Sequence, residues 1–388
     1  MNKFIILICI SIIGCKKNET PISVYSKTKP VKETIIDSLK HPWSMAFLSE
    51  DEVLVSEKDR DLLRVNLSSK KKKIIKGFPG DLTDSIRTVW RGDNSGIFEV
   101  LLHPDFKTNN QLYISYAAKK QGKGSATKVI RAILQNDSLT DIKTILEAGP
   151  FTREYFHYGG GMTFGSDGKL YITMGERLFR EIDEPEIPIA QDLKDKRGKI
   201  YRLNYDGSVP DDNPDFGDGA VPGVFATGIR AAQGITIDPK TGNIWFTEHG
   251  TRQGDEVNQL KAGANYGWPI ITTGGYRSRD YVPPTITDAI YTDPVWYWPH
   301  TVAPTGLLFY TGEEFPEWKN DLLVPGLSKG SLWRFNIEND TIKSAEELFI
   351  DDRVRSRKIA QSPKGKLYML TDEDNGKIVR IKNNTLQN

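Results

Sequence analysis

One unit returns along the chain and restricts what it can fold into. It has a small-residue entry, a short β-rich run, a turn containing Asp, Gly or Asn, a second run ending near Thr, Ser or Glu, and often a third run. Its six copies begin near Ser44-Met45-Ala46-Phe47, Gly96-Ile97-Phe98-Glu99-Val100, Gly161-Met162-Thr163-Phe164, Gln233-Gly234-Ile235-Thr236-Ile237, Thr305-Gly306-Leu307-Leu308-Phe309 and Lys358-Ile359-Ala360-Gln361. Second runs follow at 52–55, 111–115, 170–174, 244–247, 321–324 and 367–370. Four copies reach a basic closing run, at 63–66, 200–204, 333–336 and 378–381. Runs rich in β-branched and aromatic residues between turn formers read as strands. A period of roughly 50–70 residues with about four strands per unit is that of a β-propeller. The expected fold is therefore all-β, a six-bladed β-propeller with four-stranded antiparallel blades and long loops on the active-site face. A β-sandwich is the competing architecture, and 187–196 is the one stretch expected to form a short helix.

A propeller gathers the loops of all its blades around one end of the central channel, so residues far apart in sequence can converge there. The third copy stands out on this view. His157 and then Gly159, Gly160 and Gly161 precede its first strand, with a tight turn at Ser166-Asp167-Gly168. Three glycines leave no side chains to keep another molecule from the backbone.

Charge narrows the partners. Lys plus Arg number 52 against 51 Asp plus Glu, so no global field favours nucleic acid or an anionic membrane surface, and a small or neutral partner is expected. Residues 1–15 read as an export signal: Lys3 supplies the positive start, 4–13 an apolar run too short to span a bilayer, and Ile12-Ile13-Gly14-Cys15 a cleavage site resembling a bacterial lipobox with Cys15 acylated. A plain secretory signal is the alternative. The polar stretch 16–38 reads as a tether and 39–384 as the folded domain. The only cysteines, Cys9 and Cys15, belong to the signal, so the domain is held by core burial and, if present, a metal rather than by disulfides.

Several longer motifs carry a resemblance. Gly-Ile-Phe-Glu-Val-Leu-Leu-His-Pro-Asp-Phe (96–106), His157-Tyr-Gly-Gly, Ser-Asp-Gly-Lys-Leu-Tyr-Ile-Thr-Met-Gly (166–175), Asp-Gly-Ser-Val-Pro-Asp-Asp-Asn-Pro (206–214), Gly-Asp-Glu-Val-Asn (254–258) and Asn-Tyr-Gly-Trp-Pro (265–269) resemble the soluble quinoprotein sugar dehydrogenases of the glucose/sorbosone dehydrogenase family. The likeness runs from about His41 to Lys382. It implies a six-bladed propeller that uses pyrroloquinoline quinone (PQQ) and calcium to oxidise the anomeric hydroxyl of an aldose, passing electrons to an external acceptor.

Residue by residue, the resemblance makes His157 the general base, a role suited to imidazole because its unperturbed pKa lies near neutrality. Arg230 matches the family arginine at the reacting carbonyl. Arg355 and Arg357 match the pair that holds cofactor carboxylates, and residues at i and i+2 of an extended segment share a side. Trp298 is the candidate for stacking on the cofactor, with packing as the alternative. The active-site calcium would take the carbonyls of Gly250 and Thr251, and a structural calcium the side chains of Glu256 and Tyr266.

Other positions depart from the family pattern. Asn94 stands where the family has Gln, Phe156 where an Asp is common, Ala231 where an Asn contacts the cofactor, Ser328 where a Lys does, with Lys329 displaced by one, and Thr251 where Pro is usual. A buried hydrogen bond lost in this way is worth about 1–3 kcal/mol when its partner is left unsatisfied. The same residues therefore leave open a non-catalytic propeller that binds carbohydrate or protein on its loop face. The sequence has no Cys-x-x-Cys-His, no Rossmann glycine fingerprint and no His-Glu-x-x-His, which argues against built-in haem, a nicotinamide site or zinc hydrolysis.

Overall fold

The computed structural model describes residues 28–58, 61–83, 94–287, 289–350 and 352–384. Among the described residues, twenty-four strands form six four-stranded antiparallel sheets. The chain enters as β1 (Pro30–Leu39). Blade 1 is β2 (Pro42–Phe47), β3 (Glu52–Glu57), β4 (Leu62–Asn66) and β5 (Lys72–Ile74); blade 2 is β6 (Ile97–Leu102), β7 (Gln111–Lys120), β8 (Gly124–Gln135) and β9 (Ser138–Thr152). Blade 3 is β10 (Gly159–Phe164), β11 (Leu170–Met174), β12 (Lys199–Leu203) and β13 (Val224–Ala226); blade 4 is β14 (Ala232–Ile237), β15 (Ile244–Glu248), β16 (Asp255–Gln259) and β17 (Trp296–Trp298). Blade 5 is β18 (Leu308–Phe309), β19 (Leu322–Pro325), β20 (Leu332–Glu338) and β21 (Thr341–Leu348); the sixth has β22 (Ser356–Gln361), β23 (Leu367–Thr371) and β24 (Gly376–Asn383). The six expected hairpins are thus the first two strands of the six blades.

Each blade is buried on both faces, which is why its second strand reads as a nearly unbroken apolar run: β11 and β23 are buried at every position. Every junction between neighbouring blades has its own apolar cluster. Tyr113 and Val129 of blade 2 meet Met162, Ile172 and Tyr201 of blade 3, for example, and Val53 and Leu63 of blade 1 meet Tyr368 and Leu370 of the sixth. Because hydrophobic burial is spread around the ring, the loops at its ends are free of core duty.

The ring is closed by β1, which pairs antiparallel with β24 from Pro30↔Asn383 to Leu39↔Gly376 and so completes the sixth blade. This corrects the last part of the expected tether over 16–38: residues 30–38 belong to the sixth blade, while 16–27 lie outside the described residues. An outermost strand keeps one face in water, so only Ile36 and Leu39 of this segment are buried apolar side chains, and its composition looks like that of a linker.

The expected helix at 187–196 does not form. The amides of Gln191 and Asp192 both reach the Pro188 carbonyl, but the Asp192 and Asp195 side chains then take the amides of Lys194 and Arg197, each at 2.9 Å, and turn the chain instead. Lys199 fixes this loop from below by donating to the carbonyls of Ile189, Ala190 and Arg197. Among the described residues no helix is long and apolar enough to cross a membrane. The signal and Cys15 lie outside the described residues.

Candidate active site

At the end of the ring where second strands hand over to third strands, and where one blade leads into the next, the loops surround a cavity of about 690 Å³. Its wall includes Asn94, His157, Arg230, Gly250, Thr251 and Arg355, so six residues selected from sequence converge on one place.

His157 sits just before β10 with a left-handed backbone (φ +48°). The segment around it is held by Arg177, a fully buried side chain that donates to the carbonyls of Glu154 and Phe156 and lies 3.4 Å over the Tyr158 ring. His157 Nδ1 is 2.6 Å from Glu176 Oε1, and Glu176 Oε2 accepts the Leu178 amide at 2.7 Å. With Nδ1–H donated to the carboxylate, Nε2 keeps its lone pair for a ligand in the cavity. Burial, followed by Arg230, His249, Arg277 and Arg177, holds the imidazole well below its usual pKa, while burial pushes Glu176 well up. Both directions disfavour a separated imidazolium–carboxylate pair.

The glycine triplet serves a different end from the one expected. Gly159–161 are all buried; a Cβ on Gly160 would stand 3.0 Å from the Phe98 ring and 3.1 Å from Ser115 Oγ, and one on Gly161 3.0 Å from the Gln233 carbonyl. Neighbouring inner strands, not a ligand, make the close approach.

Arg230 reaches the cavity from the blade 3 to blade 4 connection. Its Nη1 donates to the carbonyls of Gly250 at 2.7 Å and His249 at 3.1 Å, the guanidinium lies 5.1 Å from the Trp268 ring centre, and its Nε has no partner. The Gly250 carbonyl expected to face calcium is therefore shared with this arginine.

Opposite His157, basic side chains gather on one protein carboxylate. Asp372 is met by Arg357 Nη2 at 2.6 Å, Lys58 Nζ at 2.9 Å, His41 Nδ1 at 3.1 Å and Arg355 Nη2 at 3.4 Å. Against the cost of its burial, Arg357, Lys58, His41 and Arg355 hold its carboxyl well below the usual range. Arg355 is half exposed to the cavity, whereas Arg357 is buried beneath it, where it also reaches Gln233 Oε1 at 3.1 Å. The two arginines do share a side, but both turn to Asp372.

Behind Arg230 a narrow cleft is lined by Glu248, Gly254, Glu256, Tyr266 and Trp268. Glu248 is buried, its Oε1 takes the Arg230 amide and its Oε2 has no partner. Burial and then Glu256 push Glu248 up to about 8; burial, together with Asp255 and Asp293, pushes Glu256 up to about 7. A buried and a partly buried carboxylate raised this way, the first with an unused oxygen, fit a hard cation that takes oxygen ligands. Among the described residues no three His, Cys, Asp or Glu side chains cluster as a metal site, so such a cation would draw its other ligands from carbonyls or water. Tyr266 spends its hydroxyl within the protein, donating to the Gln259 carbonyl at 2.6 Å and accepting the Lys261 amide at 3.0 Å.

Three expected contacts do not line the cavity: Arg357 lies beneath it, and Trp298 and Lys329 stand away from it. Trp298 is fully buried between blades 4 and 5, edge-on to Trp333 and Phe335 at 5.7 Å each, so the packing alternative holds. Lys329 is exposed on the β19–β20 turn beside Ser328, outside the cavity wall. Ala231 is fully buried. The sequence reading missed Glu176, Glu248, Asp372, Lys58 and His41. For the two glutamates a signal existed, since each ends or follows a second strand, the position that meets the cavity face.

The profile of the Glucose / Sorbosone dehydrogenase family matches residues 39–380. The chain belongs to this family. Aldose sugar dehydrogenase YliI of Escherichia coli (strain K12) is 31% identical over 355 residues, covering 90% of this chain and 92% of the relative. Quinoprotein glucose dehydrogenase B of Acinetobacter calcoaceticus is 28% identical, covering 92% and 89%. The crystal structure of the soluble aldose sugar dehydrogenase from Escherichia coli in the apo-form superposes with a TM-score of 0.82 at 30% identity, covering 92% of this chain and all of that one. Within this glucose/sorbosone dehydrogenase family member, the shared propeller frame and the convergence on His157 and Arg230 concern the same end of the ring.

Proposed function

We propose that this family member is a PQQ- and calcium-dependent dehydrogenase that oxidises the anomeric hydroxyl of an aldose to the lactone. The observation that carries the reading is the His157–Glu176 pair at 2.6 Å in the wall of a cavity whose opposite side is cationic. The volume of about 690 Å³ leaves room for a planar tricarboxylate and a sugar together, and Arg230, Arg355 and Lys58 offer the positive charge such a cofactor needs. Bound PQQ would supply the two-electron acceptor for the anomeric hydride, and bound calcium would supply polarising charge beside Gly250 and Thr251.

The protein's own part is acid–base and electrostatic. His157 Nε2 takes the hydroxyl proton while Glu176 fixes the opposite ring nitrogen, so that loss of this proton and of the C1 hydride leaves the lactone C=O. Arg230 places a fixed positive charge beside the reacting centre, pre-oriented by its bonds to His249 and Gly250. Glu248 and Glu256 would hold a second, structural cation. Electrons then pass to an external acceptor. Acylation at Cys15 would tether the enzyme to a bacterial membrane facing the periplasm or the cell surface.

The experiment is titration of the purified protein with PQQ in the presence of calcium, followed by absorbance, and then sugar-dependent dye reduction over a panel of aldoses. A saturable spectral change together with turnover is expected. No PQQ binding and no turnover would transfer the reading to a ligand-binding propeller.

A further inference from the structure

A row of aromatic and cationic groups runs along the cavity wall away from the base. Phe156, next to His157, stacks on Phe179 with ring centroids 4.5 Å apart and an interplanar angle of 30°, and the Arg277 guanidinium lies over the outer ring at 4.4 Å from its centroid. All three line the cavity. The main chain of Arg277 is anchored on both sides: its amide donates to Glu181 Oε1 at 3.3 Å, and its carbonyl accepts from Arg252 Nη2 at 3.2 Å. The next residue, Ser278, gives its amide to Glu181 Oε2 at 2.8 Å. The loop is thus pinned to the 3-10 turn Glu181–Asp183, while the guanidinium has no carboxylate partner among the described residues.

Among the described residues, every acidic group of the cavity wall is already committed elsewhere. Asp255 accepts the amides of Gly250, Val302 and Ala303, Asp372 holds Arg357, Lys58, His41 and Arg355, and Asp374 meets His41 Nε2 at 2.6 Å. Near His157 the nearest carboxylate, Glu176, is spent on its ring and on Leu178. The substrate end therefore presents a positive charge that no carboxylate among the described residues pairs with, beside an apolar aromatic stack. Phe156 contributes to that stack where a carboxylate would have repelled an anion.

From this juxtaposition, and resting on the dehydrogenase reading, we infer that the preferred substrate is an aldose bearing a carboxylate remote from its anomeric carbon, a uronic acid, with the C–H groups of its ring along the edge of the Phe156–Phe179 stack and its carboxylate on Arg277. A guanidinium presents parallel donors that match a carboxylate's two oxygens, and an aromatic stack suits the apolar side of a pyranose. Oxidation at C1 gives the lactone of the corresponding dicarboxylic sugar acid, with the same loss of one hydride and one proton as for a neutral aldose.

The test compares D-glucuronate with D-glucose on the protein loaded with PQQ and calcium. Glucuronate is expected to have a kcat/KM about tenfold or more higher, chiefly through KM, as one charge-assisted contact supplies. Arg277→Gln should bring the ratio of the two sugars close to one, and Arg277→Lys should keep part of it. A wild-type ratio at or below one, or an Arg277→Gln variant that slows both sugars by the same factor, overturns the inference. Titration calorimetry of each sugar supplies a readout that needs no turnover. If neither sugar is oxidised, calorimetry decides: glucuronate binding that is stronger than glucose binding and falls in Arg277→Gln sustains the subsite, and equal or absent binding removes it, while the dehydrogenase reading itself fails only when PQQ does not bind and no aldose of the panel is turned over.

Discussion

Glu176 Oε1 and His157 Nδ1 stand 2.6 Å apart, joining the loop that follows β11 to the segment that leads into β10, the inner strand of the same blade. One carboxylate thereby fixes which imidazole nitrogen faces the cavity. His157→Gln should leave PQQ binding nearly intact and lower sugar-dependent dye reduction by about 10²–10⁴-fold. Glu176→Gln should also lower kcat, because its amide can donate to Nδ1 and force the proton onto Nε2. Absorbance titration and dye assays on the same preparations check both. An unchanged kcat in Glu176→Gln would remove the orienting role.

The acid limb of kcat/KM follows from the same pair. His157 is held below its ordinary value of 6.5, so its base form persists as pH falls through that value. The acid limb is therefore expected below pH 6.5. A limb at or above that pH in the rate profile would contradict the buried, cation-flanked setting.

Asp372 holds charges that would otherwise face one another. Asp372→Asn leaves buried Arg357 and Lys58 without their counter-charge and should destabilise the fold by about 3–5 kcal/mol, as breaking a buried pair does. Because the folded pKa of Asp372 lies below its ordinary 3.8, its stabilisation is complete above that value and is lost as pH falls through the depressed folded value. Urea midpoints of the two proteins between neutral pH and pH 3 test this: the gap between them should narrow in acid.

Glu248 and Glu256 give the opposite sign. Their folded values, about 8 and about 7, lie above the ordinary 4.5, so the unfolded chain binds fewer protons across that window and metal-free stability should fall as pH rises from 4.5 through 8. A cation seated between the carboxylates offsets this loss by binding the native state. Calcium should therefore raise Tm more at pH 8 than at pH 5, and Glu256→Gln should shrink that difference. An equal Tm with and without chelator at pH 8 would rule out a cation there.

Trp298 provides a contrast between core and site. Trp298→Ala should cost about 3–5 kcal/mol in stability, as emptying a large buried site does, while the folded fraction keeps its PQQ affinity. Urea unfolding and PQQ titration together decide; a loss of affinity greater than the loss of stability would return Trp298 to the cofactor.

The architecture was legible in the chain because a propeller is built from a local unit. Each hairpin carries its own alternation and turn, such as Ser166-Asp167-Gly168 with Gly168 at φ +71°, and six repetitions reveal the ring before any long-range contact is known. His157 and Arg230 were legible through motifs that surround them in the chain. Tertiary structure decided everything that depends on which side chains meet across blades. Asp372 was a lone turn residue until Lys58, 314 positions away, and His41, 331 positions away, reached it. Trp298 and Arg357 had the right chemistry for a cofactor, but the twist of their strands sent one between blades and the other beneath the cavity floor. The strand β1 looked like a linker because its value to the fold lies in backbone hydrogen bonds to β24, which any side chain can accompany.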